Sequence, residues 1–160
     1  MTAKTKWLWI VFVREGLAIR AAERLSRSPL LTPAEQEQMR EIMHDEARHR
    51  DVAYELAKVS GPRPADLIED REWGDDLHLL HLMNRGESLF LRTYYADIRP
   101  VLTPEQQIAL DGVFEDEKRH RKIGKAILHR IGERRMGVLR NPGHEELTST
   151  AREMIEEARG

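Results

Sequence analysis

The chain has 160 residues, a length that suits one domain. Apolar residues make up 40% and charged residues 34%, with a formal net charge of -2, so a core can be buried and a general nucleic-acid binder is not expected. With no cysteine, disulfides, thiolate zinc sites, iron–sulfur clusters and a thiol nucleophile are excluded.

The first predicted helix opens with seven consecutive apolar residues, Trp7 to Val13. That run is far short of the roughly 20 residues needed to span a membrane. Arg14, Glu15, Arg20, Glu23 and Arg24 follow at once, a flank unlike that of a signal peptide, so the run reads as the start of a buried helix in a cytoplasmic protein. Its stripe is Trp7, Val11, Glu15, Ala18, Ala22 and Leu25. Thr32-Pro33-Ala34-Glu35 marks the start of a second helix, with Thr32 as cap and Glu35 closing a capping box. There the stripe is Met39, Ile42, Glu46, His49, Ala53 and Leu56. Gly61 suits a left-handed helix end. Residues 62–74 are long enough to cross from one helical pair to the next.

The third helix offers Leu80, Met83, Glu87, Phe90 or Leu91, and Tyr94. The fourth starts at Thr103-Pro104-Glu105-Gln106, carries Val113, Glu117, His120, Gly124 and Ile127, and ends at Gly132. Asn141-Pro142 can open a fifth helix, with Leu147, Ala151, Met154, Ile155 and Ala158 on one side. Residues 31–61 slid by 71 positions onto 102–132 give ten identities in thirty-one, where roughly two would arise by chance. These include Asp45-Glu46-x-Arg48-His49-Arg50 against Asp116-Glu117-x-Arg119-His120-Arg121. The chain therefore reads as all-α, a duplicated helical hairpin over residues 1–136 followed by a helical extension over 137–160.

Each stripe carries a glutamate where leucine is expected, and a core carboxylate is costly unless paired or metal-bound. Glu46/His49 and Glu117/His120 are spaced i, i+3, so each pair shares a helix face. Counting from the two turns places Glu15, Glu46, Glu87 and Glu117 at one depth, whereas Glu23 falls roughly 13 Å off that level. Glu41 and His44 repeat the spacing but lie about 140° round the helix, on the solvated face. Four carboxylates would be balanced by two divalent cations, and mixed oxygen and nitrogen donors suit iron or manganese.

The set Glu15, Glu46-x-x-His49, Glu87, Glu117-x-x-His120 resembles the ferritin-like di-iron carboxylate superfamily, bacterioferritins and rubrerythrins above all, over roughly residues 5–132. The resemblance implies a four-helix bundle with Glu46 and Glu117 bridging two metals. Glu15 with His49 and Glu87 with His120 would each complete one. It also implies that Asp45 accepts a hydrogen bond from His120, and Asp116 from His49. The cofactor implied is two Fe ions, with Mn or mixed Fe/Mn as alternatives. Ala47 stands where haem-binding bacterioferritins have methionine, so no haem is expected.

Tyr94, Gly16 and Gly86 are further candidates for a cavity at the metals, although close helix packing explains the glycines nearly as well and a core position with its hydroxyl satisfied explains Tyr94 at least as well. Arg48, Arg50, Arg119 and Arg121 read as an exposed basic girdle. The function expected is activation of O2 to oxidise or oxygenate a small organic substrate, with an external electron donor. The alternative is a ferroxidase, peroxide-consuming or iron-storage protein. Not every side of Trp7–Val13 can face one bundle, so either the fifth helix or a second subunit covers the remainder; a homodimer is the expectation.

Overall fold

A computed structural model describes residues 1–69, 73–132 and 142–160. Of the described residues 83% are helical and none lies in a strand. The five helices are α1 (Ala3–Leu25), α2 (Pro33–Ser60), α3 (Asp76–Thr93), α4 (Pro104–Ile131) and α5 (Pro142–Arg159). The boundary expected at 136/137, and Asn141, lie outside the described residues.

Local chemistry explains the starts. Thr32 Oγ1 accepts from Glu35 N at 3.2 Å while Glu35 returns to Thr32 N at 2.9 Å. Thr103 and Gln106 repeat this at 3.2 and 3.0 Å. Each box satisfies two helix-start N–H groups that have no partner within the helix. Gln36 Nε2 donates to Ser28 O, and Gln107 Nε2 to Arg99 O, both at 2.9 Å. The duplication therefore extends to turn geometry even where Ser28 and Arg99 differ, because the acceptor is backbone.

The helix ends differ between copies. Gly132 is left-handed at φ 81°, ψ 10°, as glycine allows. Gly61 is not, with φ 158° and ψ -179°. Pro62 follows it, and a residue before proline is pushed toward extended backbone.

The four long helices contribute to two apolar layers, one at each end. One layer takes Trp7 and Val11 from α1, Ala53 from α2, Leu91 from α3 and Val113 and Phe114 from α4. The other takes Ala22 and Leu25, then Met39 and Ile42, then Leu79 and Leu80, then Ile127. The order of the layers along the chain reverses from α1 to α2 and again from α3 to α4, as antiparallel neighbours require. Glu15, Glu46, Glu87 and Glu117 fall between the layers in every helix.

Helix α5 packs on α1 and supplies Leu147, Ala151 and Met154 to the first layer. Trp7 to Val11 and Val13 are buried within one chain, and Phe12 is half-buried. Of the aromatic side chains in this run, Phe12 alone keeps partial exposure. No helix of the described residues is long and apolar enough to cross a membrane.

Candidate metal centre

Between the apolar layers, Glu15, Glu46, His49, Glu117 and His120 are buried to 6% exposure or less. Glu87 on α3 is half-buried because it lines a cavity that is partly open to solvent. Two groups of ligand atoms form, each within 4.8 Å: Glu15, Glu46, His49 and Glu117, and then Glu87, Glu117 and His120. Glu117 belongs to both. Glu46 Oε1 lies 2.7 Å from His120 Nδ1 and 3.7 Å from His49 Nδ1, so Glu46 also stands between the imidazoles. The two rings are 5.9 Å apart and inclined by 31°.

The outer nitrogens are held by crossed pairs. His49 Nε2 is 2.8 Å from Asp116 Oδ2, and His120 Nε2 is 2.9 Å from Asp45 Oδ2. With Nε2–H donating to a carboxylate, each Nδ1 turns toward the cluster. Arg48 and Arg119 bind Asp45, and Arg119 reaches Asp116 Oδ1 at 3.3 Å. These two arginines are therefore not simply a solvated girdle, because they fix the aspartates that fix the histidines. Their i, i+3 spacing from Asp45 and Asp116 was the available signal. Arg121 turns elsewhere, donating to Ser88 Oγ at 2.9 Å.

Glu15 Oε2, Glu46 Oε1, Glu117 Oε1, His49 Nδ1 and His120 Nδ1 are buried and have no hydrogen-bond partner. Such atoms ordinarily cost 1–3 kcal/mol each, more when charged, so five aimed at one space call for a ligand. Four carboxylates and two imidazoles fit a divalent cation, and the site could hold a metal ion.

Protons take part of that role in the metal-free chain. Burial, then the Glu117 and Glu15 carboxylates, hold Glu46 well above the usual carboxylate range. Burial with Glu117 and Glu15 does the same to Glu87. At His49 burial disfavours the charge, but Glu117 and Glu15 outweigh it and raise the ring to about 10. At Glu117 burial opposes the charge, yet His120 and His49 hold the carboxyl at about 2. Glu117 thus stays ionised beside protonated Glu46, Glu87 and His49.

Glu41, His44 and Glu23 are exposed and away from the cluster. Tyr94 is not a cavity residue: its ring stacks on Phe114 at 4.0 Å and its hydroxyl donates to Asp111 at 2.6 Å. Seven residues of helix carry it about 10 Å down the axis from Glu87. There α3 widens into a π turn, Tyr94–Ile98. Gly16 lines a separate cleft with Arg20, Arg50 and Arg63, where an added Cβ would meet only Arg50 Cδ at 3.8 Å. Gly86 does line the cavity, and an added Cβ would lie 3.2 Å from His144 Nε2, so glycine lets α5 approach α3 closely.

That cavity, between α1 and α3, reaches Glu15, Glu46, Glu87 and Glu117 and contains about 620 Å³ of space, part of it open to solvent. No family model, curated protein or solved structure matches this chain.

Proposed function

We propose that this chain is a ferritin-like dinuclear metal carboxylate protein, an oxidase or oxygenase that uses O2 on a small organic substrate. The observation that carries the reading is a largely apolar cavity that meets four carboxylates, three of which, with two imidazole nitrogens, have buried atoms without hydrogen-bond partners. An iron-storage protein needs a hydrated, acidic path for ions, whereas Leu17, Leu79, Leu82 and Met83 wall this cavity. Bound iron, or an iron–manganese pair, would supply redox chemistry with O2 that no side chain here can perform.

The side chains have separate tasks in this reading. Glu15, Glu46, His49 and Glu117 would hold one ion, and Glu87, Glu117 and His120 would hold the other, with Glu46 beside His120 as well. Asp116 and Asp45 keep each Nδ1 lone pair aimed inward. The apolar walls exclude water and so strengthen each electrostatic contact inside. An external electron donor would restore the reduced state.

Anaerobic titration with Fe(II), followed by O2, tests the assignment. Saturation at two Fe per chain, with no growth of mineral on repeated additions, is expected. Continued iron uptake after oxygen exposure would replace this reading with ferroxidase and storage.

A further inference from the structure

The cavity has a shape that specifies what it holds. From Glu15 to Ala21 on α1 and from Glu87 back to Leu79 on α3, its walls run roughly 9 to 12 Å along the helix axes. Leu17, Ala18 and Ala21 form one wall. Leu79, Leu82 and Met83 form the opposite one. The short side chains of Ala18 and Ala21 leave the width. Trp73 lies at the end away from the carboxylates, with the Arg20 guanidinium 5.9 Å from its ring. Among the described residues no charged side chain lines the stretch between Trp73 and the carboxylate end; Arg14 belongs to the latter, over Phe90 at 5.9 Å.

We infer that this slot binds a small uncharged molecule with a hydrocarbon body, lying along α1 and α3 with one end at the carboxylate cluster and the other against Trp73. A charged body would lose water with no counter-charge along the walls. A hydrocarbon body gains by displacing water from apolar surface, and the length of the slot sets which chains fit. Its role as the substrate site rests on the function proposed above; binding itself does not.

A series of linear alcohols from hexanol to dodecanol tests this on the whole chain. Calorimetry would follow affinity and tryptophan fluorescence would report location. Affinity should tighten roughly fourfold per added methylene until the slot is full, then level off. Trp73→Phe should remove the fluorescence response, because Trp7 and Trp9 lie in the opposite apolar layer. Ala21→Leu should bring the levelling-off to shorter alcohols and Met83→Ala to longer ones, each with Mn(II) uptake at the wild-type stoichiometry. Affinity independent of chain length, or both variants keeping the wild-type profile, would overturn the inference. Manganese uptake without alcohol binding would reject the slot alone. Alcohol binding with the expected profile but no manganese uptake would uphold the slot and reject the metal reading.

Discussion

Replacing Glu46 by Gln removes one carboxylate from the centre of the cluster and keeps its shape. In the metal-free wild type, burial with Glu117 and Glu15 keeps Glu46 protonated well above 4.5, its ordinary value. The folded chain then binds a proton that the unfolded chain releases, so stability falls as pH rises through that interval, by about 1.4 kcal/mol per pH unit. Glu87 adds a second slope of the same sign. Glu117, held at about 2, has already contributed its stabilisation above 4.5. His49, raised to about 10, is protonated in both states below its ordinary 6.5 and adds no slope there. Between pH 4.5 and 6.5 the wild type should lose up to about 2.7 kcal/mol per pH unit and Glu46→Gln about half as much. Urea unfolding in chelator at several pH values reads the difference directly. The variant should gain less stability than wild type when Mn(II) is added. Equal pH slopes, or a metal-free variant that is the less stable of the two at pH 6.5, would refute the argument.

Other expectations use independent readouts. Asp45→Asn should weaken Mn(II) binding about 10- to 100-fold while leaving the helical circular dichroism intact, since Asp45 fixes the His120 tautomer. Asp116→Asn should do the same through His49. Tyr94→Phe should cost about 1.5–3 kcal/mol in urea unfolding, the worth of a hydrogen bond to a charged partner, with unchanged manganese stoichiometry. Manganese binding near neutral pH should release protons into weakly buffered solution, because His49, Glu46 and Glu87 hold them in the metal-free chain.

Much of this arrangement was legible in the sequence because helical periodicity and capping are local. A glutamate interrupting an apolar stripe declares its face, and two capping boxes at one offset declare a repeat. The crossed Asp–His pairs followed from the resemblance, since no spacing rule states which aspartate reaches which ring. What was not legible depends on neighbours in space. Periodicity put Tyr94 on the Glu87 face but could not show Asp111 waiting for its hydroxyl. Gly16 adjoins Glu15 in the chain yet turns about 100° away, toward Arg50. The left-handed end expected at Gly61 was overridden by Pro62, a local signal that was available. Burial of Trp7–Val13 required knowing that α5 returns to α1, which no pattern within either helix specifies.

We propose two metal ions among Glu15, Glu46, His49, Glu87, Glu117 and His120. A crystal soaked in Mn(II), with anomalous difference maps recorded at the manganese edge, would locate them. Two peaks about 3.5–4 Å apart are expected, one beside Glu15 and His49 and the other beside Glu87 and His120, with Glu46 and Glu117 between them. Manganese found only at other positions, with the cluster carboxylates hydrogen-bonded to one another through retained protons, would contradict the proposal.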